Sequence, residues 1–173
     1  MVSIRPATQM DIADIVRIHI DSWKVQFTSF LTIQQIALKD LNMVNQLEIW
    51  QERFANEEGK TRYTFVATTN QVVVGYITGI LIDDEYDTEL HQIYVLPSVQ
   101  GRGIGKELVQ YLAKCFHDLG KQSLLVWVMT INPAVKFYRD ALGGKLVSER
   151  IIPNGDGILK ETAYVWSNIL DLF

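Results

Sequence analysis

Ile93-Tyr-Val-Leu-Pro-Ser-Val-Gln-Gly-Arg-Gly-Ile-Gly-Lys-Glu-Leu108 joins an apolar, alternating run to a glycine cluster and then to a helical pattern, with nothing in between. It reads as strand, anion-binding loop and helix. Gly101, Gly103 and Gly105 stand where the chain turns into the helix, so unhindered backbone N–H groups converge at the positive end of the helix dipole. Such a corner suits a phosphate or pyrophosphate. The spacing excludes two familiar versions of it. A dinucleotide fingerprint needs its third glycine at Lys106, or at Leu108 when counted from Gly103. A Walker-type loop needs Ser or Thr where Glu107 stands and a first glycine where Gln100 stands.

With 173 residues, 48% of them hydrophobic, the chain can bury one sizeable core, and residues 1–173 read as a single α/β domain. A net charge of -4 and a pI near 5.3 argue against a nucleic-acid partner and are compatible with a cationic small molecule. The one cysteine, Cys115, allows no internal disulfide; at helical spacing with Ile104, Leu108, Leu112 and Leu119 it reads as a core residue before a reactive thiol. No stretch approaches the roughly 18 apolar residues of a membrane span, and Met1-Val-Ser-Ile-Arg-Pro6 lacks a basic segment followed by an apolar one. The expectation is a cytoplasmic protein with no membrane partner. His19 sits on an apolar helical face with no second metal-type residue at ligand spacing, so it reads as packed, and no metal is expected.

The remaining elements follow from period and punctuation. Val2 to Arg5 is a short strand ended by Pro6, and Thr8 to Asp11 approaches a capping box ahead of a helix carrying Ile12, Ile15, Val16, His19, Trp23 and Phe27 on one face. Thr32 to Asp40 and Asn42 to Asn56 are predicted helical. Tyr63 to Thr69 and Gln71 to Ile82 form a predicted hairpin about Asn70-Gln71. An acidic turn, Asp83 to Asp87, leads into the strand Thr88 to Leu96. The helix after the glycine loop stops at Gly120, and Ser123 to Met129 is an apolar run suited to a strand covered on both faces. Asn132-Pro133 marks a further helix start, Gly143-Gly144 its stop, and Lys145 to Ile152 with Ile158 to Ile169 a closing pair of strands.

Two segments carry a resemblance. Gln100-x-x-Gly103-x-Gly105 directly after a strand, and Asn132-Pro-Ala-Val-Lys-Phe-Tyr138 ahead of Gly143-Gly144, resemble two motifs of the GNAT-type N-acetyltransferases, and the order of elements resembles that superfamily from end to end. The resemblance implies a mixed, mostly antiparallel sheet of about seven strands, helices on both faces, and two central strands that splay to hold acetyl-CoA. It implies that Ile93, Tyr94 and Val95 pair with the pantetheine amides as a missing strand would. Gln100, Gly101, Arg102, Gly103, Ile104, Gly105 and Lys106 would surround the pyrophosphate, with Asn132 and Phe137 also on the cofactor side. Arg102 and Lys106 stand against the helix dipole, which favours a phosphate beside them over two merely solvated cations.

Acetyl transfer to an amine needs a neutral nucleophile, a donor to the oxyanion and a proton for the departing thiolate. Tyr138 matches the family's general acid, protonated at neutral pH, although a packed core tyrosine is the competing reading. The Val95 N–H matches the oxyanion donor, at a bulge expected there. Glu89 is the first choice of base; His91, two residues on and on the same strand face, is the other. On the acceptor side the resemblance points to Trp23 and Phe27, which equally fit a core stripe, and the acidic turn could draw a polyamine or simply be solvated. The reading is thus an N-acetyltransferase that moves acetyl from acetyl-CoA to a primary amine of a small molecule, polyamine or peptide. The alternative is a CoA-binding sensor or partner-binding domain without catalysis. A homodimer is an assembly that the resemblance allows, with the closing strands as edges.

Overall fold

A computed structural model describes residues 1–27, 42–55, 61–154 and 157–173, leaving out the side chains of residues 26, 27 and 154. Strands β1 (Val2–Pro6), β2 (Arg62–Thr69), β3 (Val72–Leu81), β4 (Thr88–Val95), β5 (Leu124–Met129), β6 (Lys145–Asn154) and β7 (Gly157–Trp166) form one sheet in the order β1-β2-β3-β4-β5-β7-β6. Every neighbouring pair is antiparallel except β4 and β5. Helix α1 (Ile12–Phe27) and helix α2 (Met43–Ala55) cover one face, and helix α3 (Ile104–Asp118) covers the other. The α/β expectation of about seven strands with helices on both sides holds. The helix expected at Thr32 to Asp40 lies outside the described residues. None of the described helices is long and apolar enough to cross a membrane.

The two cores come from strand alternation. On β2, Phe65 and Ala67 face α3 and join Leu108, Leu112 and Phe116, while Val66 faces the other way and joins Ile15, Ile18 and Trp50. Each such large apolar side chain contributes about 1.5–3 kcal/mol by leaving water. Gly79 lets α3 approach: a Cβ there would lie 2.6 Å from Phe116 Cζ and 2.8 Å from Leu112 Cδ1. The hairpin turn is where the residue types place it, with Asn70 and Gln71 at φ of 50° and 66°, the double left-handed geometry that matches strand twist. Near the first helix, the Asp11 carboxylate accepts from the Thr8 N–H at 2.8 Å and pairs with both terminal nitrogens of Arg5 at 2.7 Å. Those bonds, Arg5 first, hold its pKa down at about 2 despite burial.

Three expectations need correction. Of the acidic turn, Asp87 is used by the fold: its Oδ2 accepts from Gln122 N at 2.9 Å and from Ser123 N and Oγ at 3.1 Å, which fixes the start of β4 beside the start of β5. The last strand ends at Trp166, not Ile169; Ile169 and Leu172, three apart, turn in a short 3-10 segment and bury against α3. The segment after Asn132 begins as expected, with Asn132 Oδ1 accepting from the Ala134 N–H at 2.9 Å, but it winds into a π-type turn over Phe137–Ala141. Its wide ring closes from Leu142 N to Phe137 O at 3.1 Å. Gly144 makes that path feasible, since a Cβ would lie 2.9 Å from Trp166 Cζ2 and 3.0 Å from Tyr138 O.

Candidate active site

The site begins where the parallel pairing of β4 with β5 stops. β4 and β5 pair from Thr88 with Leu124 to Leu90 with Val126, and then part. At the fork β4 carries one extra residue: Gly79 pairs with Leu90 and Thr78 with Gln92, so His91 is a bulge. The bulge expected at Val95 therefore lies four residues earlier. It resets the alternation, so that Leu90, Ile93 and Val95 pack toward the α3 core while Tyr94 faces α1. Above the fork, Leu96 N–H bonds Val74 O at 2.9 Å, and the ladder pairs Tyr94 with Tyr76 and Gln92 with Thr78. By alternation, residues 92, 94 and 96 direct their peptide groups to β3, and Ile93 and Val95 turn theirs to the side that β5 has left. The Val95 carbonyl accepts from Gln100 Nε2 at 2.8 Å, leaving its N–H toward the gap.

The gap is a cleft of about 660 Å³. Its walls include Ile93, Tyr94 and Val95, then Gln100, Gly101, Gly103, Ile104, Gly105 and Lys106 at the loop, and Asn132, Phe137 and Tyr138 opposite. Gly101 and Gly103 have φ of 73° and 85°, left-handed values that admit glycine readily. Gly103 is the N-cap of α3 and has no side chain to cap it, so the first N–H groups of the helix stay available to a ligand. At Gly105 a Cβ would sit 3.4 Å from Phe137 Cζ, closing the corner.

The expected site residues are thus mostly brought together, with four exceptions. Tyr94 reaches the cleft through its ring, not through its peptide groups, which face Tyr76. Arg102 is exposed and outside the lining, its Nη2 3.5 Å from Ser98 O. Glu89 is also outside the lining, but its Oε1 lies 3.3 Å from Nδ1 of His91, which does line the cleft. Trp23 lines the cleft, and the side chain of Phe27 is outside the described residues. Tyr138 is buried and burial pushes its phenol pKa up, with a smaller push from Tyr94, so the hydroxyl keeps its proton at neutral pH. Burial raises Tyr94 too, against a hydrogen bond from Trp23. His19 is packed, its Nδ1 2.9 Å from the Tyr76 hydroxyl, and burial, then the charge of Arg53, lower its pKa to about 4.

A family model described as "Acetyltransferase (GNAT) family" matches residues 27–143. Across 173 aligned residues, covering 98% of this chain and 95% of the relative, the chain is 31% identical to an uncharacterized N-acetyltransferase of Bacillus subtilis, YuaI. The chain belongs to the GNAT acetyltransferase family. Its backbone is similar to that of the PaiA N-acetyltransferase of Thermoplasma acidophilum, solved with coenzyme A, at a TM-score of 0.74 and 17% identity over 93% of this chain and 98% of that one. It is similar also to yncA of Salmonella typhimurium, solved with its cofactor acetyl-CoA, at a TM-score of 0.70 and 22% identity over 96% and 93% of the two chains. At these identities the likeness concerns the fold. As a GNAT member the chain is an acetyltransferase that uses acetyl-CoA.

Some residues of this GNAT cleft were not singled out from sequence. Gln92, Trp127, Met129 and Glu161 line it, and Arg150 lies 4.0 Å over the Trp127 ring while bonding Glu161 at 2.7 Å. The cross-strand register that pairs Met129 with Glu161 and Glu161 with Arg150 assembles this wall, and a linear sequence carries no register between β5, β6 and β7.

Proposed function

We propose that the chain acetylates a primary amine by direct attack, with Tyr138 as general acid and His91, oriented by Glu89, as general base. The observation that carries this is the fork itself: peptide groups of Ile93 and Val95 turned away from β3 on one wall, Tyr138 on another, and an uncapped helix start at one end. These residues fit acetyl-CoA. Ile93 and Val95 offer the edge of a strand to the pantetheine amides, and the N–H groups of Ile104, Gly105 and Lys106 suit the pyrophosphate. When bound, acetyl-CoA supplies an activated thioester.

The protein's own groups then have separate tasks. The Val95 N–H, its carbonyl already engaged by Gln100, is a donor for the oxygen that gains charge. Tyr138 Oη keeps a proton for the leaving sulfur because burial disfavours its phenolate. Glu89 Oε1 fixes Nδ1 of His91, which directs Nε2 to take the proton of the amine. Exchanging the two roles, with Glu89 as the base itself, is less suited because Glu89 does not reach the cleft wall.

The test combines CoA titration with turnover on a panel of amines, polyamines, amino acids and peptides, read as thiol release. Tyr138→Phe should lower kcat by about a hundredfold with CoA affinity kept. His91→Gln should lower kcat/KM by about a hundredfold with CoA affinity kept. Wild-type turnover in Tyr138→Phe or in His91→Gln refutes the respective role. CoA binding with no turnover across the panel would instead support a binding domain without catalysis.

A further inference from the structure

Resting on the acetyl-transfer reading, we propose that the acceptor carries a second cationic nitrogen, set apart from the reacting amine by an apolar stem, and that Glu161 on β7 holds it. Glu161 reaches the cleft from the α1 side of the sheet. It stands opposite Met129, and cross-strand partners share a face; Met129 and Tyr94 pack on the cluster that holds Trp23 of α1. Arg150 on β6 continues the row, opposite Glu161. It grips the carboxylate unevenly, with Nε and Nη2 both 2.7 Å from Oε2. Arg5 on Asp11 and Arg139 on Asp140 place one bond on each carboxylate oxygen, the bidentate form. Oε1 of Glu161 makes no hydrogen bond among the described residues. The Trp127 ring, 4.0 Å beneath the Arg150 guanidinium, fixes the cation and so the carboxylate bonded to it.

The pair is also asymmetric in where its charges stand. Glu161 lines the cleft and Arg150 does not. The Glu161 side chain is 14% exposed and that of Arg150 47%, so water screens the cation more than the anion. Among the described residues of the cleft wall, the other Lys, Arg, Asp or Glu is Lys106, at the start of α3, which covers the opposite face of the sheet. A carboxylate on the acceptor would meet Glu161 with no cation of that wall beside it, whereas an ammonium or guanidinium completes Oε1. Met129 stands three residues past Val126, where pairing with β4 ends, which is about 10 Å along β5. His91 directly follows Leu90, the partner of Val126 at the fork. An amine at His91 and a cation at Glu161 are therefore several carbons apart, and Trp23, Tyr94 and Met129 offer those carbons an apolar surface.

The full chain saturated with acetyl-CoA is assayed for thiol release with putrescine against butylamine and hexamethylenediamine against hexylamine, with γ-aminobutyrate as the acidic counterpart. Calorimetry on the CoA-loaded chain follows binding of the same probes. At one length or both, the diamine should exceed its matched monoamine at least about tenfold in kcat/KM, mainly through KM, the size of one charge-assisted hydrogen bond. γ-Aminobutyrate should fall below butylamine. Glu161→Gln should abolish the diamine preference and Glu161→Asp should keep part of it, with melting temperatures checking the fold of each. A preference unmoved by Glu161→Gln, or γ-aminobutyrate favoured over putrescine, overturns the proposal. Transfer to monoamines as efficient as to diamines at both lengths overturns it while leaving acetyl transfer standing. Diamine-selective binding without transfer to any probe supports the Glu161 site and counts against the acetyl-transfer reading, and no binding or transfer of either diamine overturns the proposal.

Discussion

His19 makes the stability of the fold depend on pH in a way that one substitution isolates. The ring is 9% exposed, held by the Tyr76 hydroxyl and packed against Tyr94, and its pKa falls from 6.5 to about 4 through burial first and the charge of Arg53 second. A depressed folded pKa means that the unfolded chain takes up a proton that the fold refuses. The stability is therefore full above about pH 6.5 and is lost as pH falls toward about 4, at about 1.4 kcal/mol per pH unit and about 3 kcal/mol in all. His19→Gln keeps a polar group near the Tyr76 hydroxyl and does not titrate. Urea unfolding of both proteins, from about pH 8 down to about pH 5, should show a constant difference in the upper range. That difference should then shift against the wild type by about 2 kcal/mol. His91 and His117 are common to both proteins and cancel. Parallel stability curves down to about pH 5 would show that the folded ring accepts a proton without penalty, and the account of its burial would be wrong.

Three further outcomes are expected. Gly79→Ala forces a methyl against Phe116 and Leu112, both fully buried, and should lower unfolding free energy by about 1–3 kcal/mol in denaturant titrations. Asp87→Ala removes the acceptor of Gln122 N, Ser123 N and Ser123 Oγ and should cost about 1–2 kcal/mol, with faster amide exchange at the start of β5. Gly103→Ala places a side chain at φ of 85° and should cost about 1–2 kcal/mol together with CoA affinity, read by calorimetry.

Much of the site was legible because its signals are local. Positive φ at Gly101 and Gly103, the cap at Asn132 and the two-residue turn at Asn70-Gln71 are each decided within a few residues of chain, so composition at a position was enough. The helix face with Ile104, Leu108 and Leu112 was legible for the same reason, since a period of 3.6 is contained in the run itself. Where the chain misled, the competing force came from elsewhere in the fold. Ile169 continues a strand by composition, yet Ile169 and Leu172 bury against α3. The helix over Phe137 widens where the chain leaves it, with the Gly144 N–H bonding the Tyr138 carbonyl at 2.9 Å beside Trp166.

The amino-acid order alone determined most of the elements, the apolar faces of α1 and α3 and the glycine corner, because periodicity, backbone permission and capping act between near neighbours. Tertiary structure decided where the sheet forks, that β7 lies between β5 and β6, and that the bulge falls on His91 and not Val95. Those are matters of register between strands far apart in the chain. A slip of one residue in register exchanges the faces of every side chain on a strand, so the chemistry of a cleft built on β4 follows from pairings that no single stretch contains.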